Sequence, residues 1–359
     1  MKILGIETSC DETAAAVVEN GTVVHSNVIA SQVDLHHKTG GVVPEVAARE
    51  HVLKITPVIE EALQQAGMTL DDIDAIAVTQ GPGLLSSLVI GVTAASALSM
   101  ATNKPLIPVN HIAGHIYANW LGEKADDPIE FPAMVLTVSG GHNELVYMKS
   151  HVSFKLIGET LDDAAGEAFD KVARILGLGY PGGPIISRVA MNGNKKRFDF
   201  PQAHMGKASY DFSFSGLKTA VLNVVKEEHA REGVLSEEFI ADCAASFEEA
   251  ACRVLSNKLL RAAEEYKVKE VHLAGGVSAN RRLRAMVQEK IEQSYYYNAL
   301  GKKVKLHLKP KLRFAENIAF CTDNAAMIAS TAFFHYKKAP HHYVKPFPIL
   351  ADPNMRIYG

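Results

Sequence analysis

Two stretches about 130 residues apart repeat one pattern: an apolar strand, a short polar turn and a second apolar strand. The first is Lys2-Ile3-Leu4-Gly5-Ile6-Glu7-Thr8-Ser9, which runs through Cys10-Asp11-Glu12-Thr13 into Ala14-Ala15-Ala16-Val17-Val18. The second is Ala133-Met134-Val135-Leu136-Thr137-Val138, which runs through Ser139-Gly140-Gly141-His142-Asn143-Glu144 into Leu145-Val146-Tyr147. Turns of this kind offer backbone N–H groups and hydroxyls to an anion. Two of them, each opening one half of a chain, predict a duplicated domain with a nucleotide held between the halves.

The remaining periodicity alternates strand and helix, which places the chain in the α/β class. Asn20-Gly21 marks a tight turn between Ala14–Val18 and Thr22–His25. Val52, Ile55, Ile59, Ala62, Leu63 and Ala66 recur at helical spacing and stop at Gly67. From Ala75 to Asn103 no side chain is charged. A strand over Ala75–Val78, a Gly81-Pro82-Gly83 turn and a helix buried on a sheet explain that run better than a membrane span, because Ser86, Ser87, Thr93, Ser96 and Ser99 interrupt its apolar part, Leu84 to Ala101. Lys104 to Val109 reads as a short strand leading into a helix. An amphipathic helix carries Ala165, Ala168, Phe169, Val172, Ile175 and Leu176 on one face, with Asp162 or Asp163 expected to cap its start and Gly177 and Gly179 its end. Long helical spacing covers Glu237 to Tyr266, and a strand over Val268–Ala274 meets Gly275-Gly276 before a helix from Arg281. The acidic, proline-bearing stretch from Glu123 to Pro132 suggests a lobe of residues 1–128 and another of 129–359, with the last helices from about 323 free to pack back on the first.

His111 and His115 lie four apart, directly after a predicted strand. On a helix that spacing puts both imidazoles on one face, able to share a metal. Ile112 occupies the place of the glutamate in a zinc-protease H-E-x-x-H, so no base stands ready to activate water. A third ligand must come from elsewhere, and by itself Asp323, opening a late apolar helix, reads as an ordinary cap. The diglycine turn before Asn280 lets a ligand approach the backbone at a helix N-terminus. Asp170 lies on the polar face of its helix, and Ser213 to Thr219 reads either as a substrate contact or as a helix cap.

Bulk properties narrow the partners. The formal net charge of −3 exerts no overall pull on nucleic acid, so any such contact must use local patches. Lys302 to Arg313 holds six Lys or Arg and no acid, and Arg281, Arg282, Arg284 and Lys195-Lys196-Arg197 form two further clusters. Three such clusters hint at a phosphate-backbone partner. The four cysteines show no C-x-x-C spacing, which fits a reducing cytosol and not a disulfide framework or structural zinc. The first residues reach Glu7 too early to form a signal-peptide core, so a cytoplasmic protein is expected.

Taken in order, Gly5 to Thr13, Gly40 to Glu45, His111 to His115, Ser139 to His142, Asp162 to Lys171, Tyr180 to Pro184, Phe212 to Thr219, Ala274 to Asn280 and Thr322-Asp323-Asn324 resemble the universal tRNA threonylcarbamoyladenosine transferase family, in its bacterial catalytic-subunit form. The resemblance runs through nearly the whole chain. It implies the actin-like ATPase fold, two ribonuclease-H-like lobes with a nucleotide between them. It also implies transfer of a threonylcarbamoyl group from threonylcarbamoyl-AMP to N6 of the adenosine 3′ of the anticodon, in tRNAs reading codons that begin with A. By position it assigns one divalent metal, iron or alternatively zinc, to His111, His115 and Asp323. It assigns substrate contacts to Thr137, Val138, Ser139, Gly140, Gly141, Asp170, Gly183 and Asn280. A paralogous dimerisation subunit and a small ATPase are the implied partners, beside the tRNA anticodon loop and with no membrane. Asp11 and Glu12 are the candidates for orienting or deprotonating the adenine amine, and His142 for donating to a developing oxyanion. Two departures stand out: many relatives carry aspartate at the position of Ser187, and the stretch from about Tyr295 to Ile318 is longer and more basic than the bacterial pattern.

Overall fold

A computed structural model describes residues 1–37, 41–122, 127–202, 206, 209–343 and 349–357. Gly40 and the first residues of the proposed lobe boundary, 123–126, lie outside the described residues. The chain divides into two compact units, one built from Met1–Ile129, His151–Phe154 and Ala315–Gly359, the other from Glu130–Ser150 and Lys155–Phe314.

The first unit holds strands β1 (Lys2–Glu7), β2 (Glu12–Glu19), β3 (Val23–Ser31), β4 (Ala75–Gly81) and β5 (Leu106–Asn110) in the order β3-β2-β1-β4-β5. β1 and β2, and β2 and β3, pair antiparallel, whereas β4 joins β1 and β5 joins β4 in parallel. Its helices are α1 (Val33–His37), α2 (Pro44–Ala66), α3 (Leu85–Thr102) and α4 (His111–Tyr117). The second unit holds β6 (Ala133–Val138), β7 (Asn143–Ser150), β8 (Ser153–Glu159) from Lys155 onward, β9 (Glu270–Ala274), β10 (Tyr295–Tyr297), β11 (Lys303–Lys305) and β12 (Lys311–Phe314). Five of these form a sheet ordered β12-β9-β6-β7-β8, which read backwards repeats the first. Here too the hairpin β6–β7 is antiparallel and β9 and β12 join in parallel. The repeat seen in the sequence is therefore a repeat of topology. Helices α5 (Ala165–Ile175), α6 (Gly182–Ala190), α7 (Ser215–Glu232), α8 (Glu237–Tyr266) and α9 (Arg281–Glu292) cover the second unit, and α10 (Ala325–Lys338) returns to the first.

Side-chain alternation explains the layers of the first unit. Leu4, Ile6, Ala15, Val17, Ile76 and Val78 meet Ile55, Val58, Ile59, Ala62, Val92 and Ala95 of α2 and α3. On the opposite face Ile3, Ala14, Ala16, Val18, Ala75 and Ala77 meet Ala325, Ala326, Ala329 and Ala332 of α10. With both faces covered, the strands read as continuous apolar runs, as buried sheets must. Among the described residues α3 is the one helix long and apolar enough to cross a membrane, yet Leu88, Gly91, Val92 and Ala95 are buried.

Two local expectations are corrected. Neither Asp162 nor Asp163 caps α5, which starts after Ala164 with no side-chain cap. Asp162 instead accepts from Ser213 Oγ and from Phe214 N at 2.9 Å, and Asp163 pairs with Lys171 at 2.7 Å and Lys218 at 2.8 Å. Together these bonds fasten α5 to the start of α7. The cap at Asp323 is likewise replaced: Asn324 is the N-cap of α10, its Oδ1 accepting from Met327 N at 3.0 Å. That leaves the Asp323 carboxylate for other work.

Candidate metal centre and adenylate-binding residues

In the first unit β5 delivers the chain into α4, and Asn110 caps it by accepting from Ile112 N and Ala113 N at 2.9 and 3.1 Å. His111 and His115 then sit one turn apart with ring centroids 4.6 Å from each other. α10 packs on α4, where Thr331 Oγ1 donates to Ala113 O at 3.4 Å. That packing places Asp323, just before α10, beside both rings. Asp323 Oδ1 lies 3.2 Å from His115 Nε2 and 3.5 Å from His111 Nε2. One donor atom from each of the three residues falls within 4.8 Å of the others.

The geometry fits a shared cation. His115 is fully buried, and neither of its ring nitrogens has a hydrogen-bond partner. A buried polar nitrogen without a partner is costly, so a ligand that takes its lone pair removes a real penalty. Two imidazoles and a carboxylate are the donor set that suits Fe²⁺ or Zn²⁺ with positions left for other ligands. On His111, Nδ1 lies 3.0 Å from Glu7 Oε2 and 3.1 Å from Ser9 Oγ, so Nε2 is the atom turned to Asp323. Burial works against a charged His111, but the Glu7 carboxylate, and Asp323 after it, push its pKa up to about 9. Burial likewise disfavours charge on Glu7, yet His111 holds its carboxyl below the ordinary range. A metal ion bound at Nε2 would therefore displace a proton from His111. Glu7 is fully buried, at the end of β1, and Thr79 Oγ1 also donates to it at 2.6 Å. Sequence reasoning passed over Glu7 because a lone carboxylate ending an apolar strand has no periodic signal; its cost of burial was the available hint.

The first hairpin turn also belongs to this unit. Cys10 O receives His51 Nε2 at 2.9 Å, His51 Nδ1 lies 2.8 Å from Thr13 Oγ1, and Ser31 Oγ donates to Glu12 Oε1 at 2.8 Å. Burial, then the charges of Asp11 and Asp323, push Glu12 up to about 9, so its carboxyl keeps a proton at neutral pH. The same burial and acidic neighbours raise the Cys10 thiol far above the range of a reactive thiolate.

The second unit gathers the other candidates. The turn after β6 closes on itself, Ser139 N donating to His142 O at 2.8 Å and His142 N to Ser139 Oγ at 3.2 Å. The first N–H groups of α5 are spent on this turn, Gly166 N on Ser139 O and Glu167 N on Gly140 O. Gly140 and Gly141 have open space where a Cβ would stand. Thr137 Oγ1 is buried and unpartnered, as is Ser278 Oγ after the diglycine turn. At Gly275, φ is +82° and a Cβ would lie 2.5 Å from Val138 O, so only glycine lets this turn seat on the end of β6. Asp170 accepts from Gly182 N at 2.7 Å, which ties α5 to the N-terminus of α6 beside Gly183. Asn280 caps α9 through Leu283 N at 2.9 Å, while its Nδ2 donates to Ser187 Oγ at 3.0 Å and Glu248 Oε1 at 2.7 Å. Ser187 Oγ donates to the same Glu248 oxygen at 2.7 Å, so serine here still joins the polar network. Glu248, inside the 30-residue α8, escaped sequence reasoning because it lies among many helical carboxylates. Asp11 and Glu12 thus sit in the first unit with the histidines, and His142 in the second.

A twice-repeated sheet of mixed topology, with a glycine-lined hairpin turn and helix N-termini at the strand ends, defines the actin-like ATPase class of fold. Of solved structures, HypF from T.kodakarensis matches with TM-score 0.59 at 15% identity, over 94% of this chain and 48% of that one. Full-length HypF in the phosphate- and nucleotide-bound form matches with TM-score 0.58 at 13% identity, over 94% and 46%. At that identity they speak for the fold alone. The particular family comes from closer matches: residues 23–330 match the family model of tRNA N6-adenosine threonylcarbamoyltransferase. The Bacillus subtilis (strain 168) protein of that name is 54% identical over 338 residues, 94% of this chain and 91% of its own length. The Bacillus anthracis one is 54% identical over 336 residues, 94% and 92%. The chain belongs to the tRNA N6-adenosine threonylcarbamoyltransferase family.

Proposed function

We propose that this chain transfers the threonylcarbamoyl group of threonylcarbamoyl-AMP to N6 of the adenosine next to the anticodon, in tRNAs reading codons that begin with A, releasing AMP. Family membership carries the reaction. The observation that carries the site is the convergence of His111, His115 and Asp323, in which neither ring nitrogen of buried His115 makes a hydrogen bond and Nε2 faces the Asp323 carboxylate.

An iron(II) ion, or zinc, held by these three residues would bind oxygens of the threonyl group and polarise them as a Lewis acid. Everything else falls to the chain itself. The AMP end is assigned to the second unit, to Ser139, to Gly140 and Gly141, which leave open space where a Cβ would stand, and to Thr137 and Val138 at the strand end. Asp170 with Gly183 and Asn280 with Ser187 and Glu248 supply fixed polar groups. Rigid anchoring of an acyl donor turns a bimolecular encounter into a positioned one, a large part of any transfer to a weak amine nucleophile. AMP is a good leaving group, so the bond from carbamoyl carbon to phosphate oxygen breaks as that from N6 to the same carbon forms. Asp11 takes the role of orienting the adenine amine and accepting its proton, with the protonated Glu12 carboxyl as its hydrogen-bonding neighbour. His142 takes the role of donor to the oxyanion that develops at the carbamoyl oxygen. An anticodon loop suits such an enzyme because an unpaired base reaches a pocket without breaking a duplex.

Peptidase chemistry, the other activity an H-x-x-x-H pair invokes, lacks its base: Ile112 is buried where the glutamate belongs. A paralogous dimerisation subunit and a small ATPase are the proposed partners, and the cytoplasm the proposed location. The test incubates the metal-loaded protein, alone and with those two partners, with threonylcarbamoyl-AMP and unmodified tRNA. Threonylcarbamoyladenosine in the nucleoside digest is the expected result. Its absence under every condition, with intact metal loading, would refute the assignment.

A further inference from the structure

The long basic segment that the transferase chemistry leaves unused folds into a defined hairpin of the second unit. β10 and β11 pair antiparallel, Tyr295 opposite Lys305, Tyr296 opposite Val304 and Tyr297 opposite Lys303. The turn is stiffened by Asn298, whose N donates to Lys302 O at 3.0 Å and whose Oδ1 accepts from Leu300 N and Lys302 N at 3.0 Å. Period-two alternation sorts the side chains. Tyr296 and Leu306 enter the core, with Val304 packed against it, so Tyr295, Tyr297, Lys303 and Lys305 share the outer face. Lys303 and Lys305 are exposed. Lys303 Nζ lies 4.0 Å from the centroid of Tyr295, and the two tyrosine rings meet edge to face at 5.5 Å.

The surroundings extend the positive charge. Lys302 and Lys309 are exposed, and neither they nor Lys305 has an ion-pair partner among the described residues. Glu249 and Glu289, the carboxylates whose charge acts on Tyr295, are both engaged by Arg282. Tyr297 and the turn also line a cavity of about 550 Å³ whose wall carries Lys258 and Arg261, with Asp199 as its acid. A pair of aromatic faces interleaved with unpaired lysines is the arrangement that takes unpaired RNA: bases stack on the rings while ammonium groups follow the phosphates. A membrane surface would want several aliphatic side chains to insert beside the lysines, and a protein partner an apolar centre; among the described residues of this hairpin Leu300 at the turn is the one exposed large aliphatic side chain.

We propose that the β10–β11 hairpin is a second tRNA-binding surface, distinct from the adenosine pocket, that grips an unpaired stretch of the tRNA through Tyr295, Tyr297, Lys303 and Lys305. It rests on the transferase reading above. The test compares full-length tRNA binding by wild type, Lys303→Glu with Lys305→Glu, Tyr295→Ala with Tyr297→Ala, and the conservative pairs Lys→Arg and Tyr→Phe at the same positions. The glutamate pair leaves the inward side chains untouched, so its folding is secure even where the alanine pair loses stability. Expected are a rise of about tenfold or more in tRNA Kd and KM for the glutamate pair, a smaller dependence of Kd on salt, and recovery in both conservative pairs. KM for threonylcarbamoyl-AMP should stay put. Unchanged tRNA affinity and salt dependence in the glutamate pair overturn the hairpin assignment while leaving the transferase reading standing. A wild type that modifies no tRNA overturns that reading first.

Discussion

At the residue scale the candidate metal site depends on a carboxylate that is not one of its three donors. Glu7 fixes which nitrogen of His111 is presented, because its Oε2 lies 3.0 Å from Nδ1 and leaves Nε2 toward Asp323. Such outer partners commonly account for ten- to a hundredfold in metal affinity. Glu7→Gln keeps the shape and the bond to Thr79 but removes the charge behind the imidazole. The expected outcome is a divalent-metal Kd about 10 to 100 times weaker in chelator competition, with little change in Tm. Equal affinity in variant and wild type would deny Glu7 an orienting role. His111 and His115 were legible in the sequence because four-residue spacing is a helical signal, whereas Glu7 was not, since its partner stands about a hundred residues away. Asp323 shows both sides: the sequence suggested a cap, and only the capping bond of Asn324 shows why the aspartate is available.

At the scale of elements, the site is assembled by α10 lying against β1 and α4. The contact is close: a Cβ at Gly5 would stand 2.9 Å from Ala329 N and 3.0 Å from Ala329 Cβ, and nearer still to Ala325 O. Overpacking a strand–helix contact by one methyl costs about 1–3 kcal/mol. Because Asp323 sits directly before α10, displacing the helix also displaces the carboxylate. Gly5→Ala should therefore lower Tm by several degrees and weaken metal binding together, by calorimetry and metal titration on one sample. A loss of stability without any loss of metal affinity would show that α10 does not set the position of Asp323. The strands and long helices were legible from periodicity alone, α8 over its whole length. What the sequence could not convey is which helix face meets which strand, since alanine-rich α10 carries little amphipathic contrast. The capping roles of Asp162 and Asp163 were misjudged for a similar reason. Both carboxylates had nearer claims from Ser213, Phe214, Lys171 and Lys218, residues brought close only by the tertiary fold.

Over the whole molecule, two sheets of one topology arise from two hairpins that the sequence announces, yet the first unit is completed by residues 315–359 at the far end of the chain. Its closure brings His151 and His335 into an interior where they stay neutral. His151 stacks on Phe334 with centroids 4.1 Å apart, and Tyr117 and Trp120 stand within 5.9 and 5.5 Å of it. Burial first, and then a neighbouring lysine in each case, lowers both histidines to about 4. In the unfolded chain each titrates near 6.5. Between those values the unfolded state binds more protons than the native one, so stability rises with pH across the window and is lost as pH falls from about 6.5 to 4. Tm measured from pH 7.5 to 4.5 should drop steadily in wild type, and less steeply in a double variant, His151→Phe with His335→Gln. Equal slopes for the two proteins would mean that these rings are protonated in the native state, and that the aromatic stack does not exclude the charge.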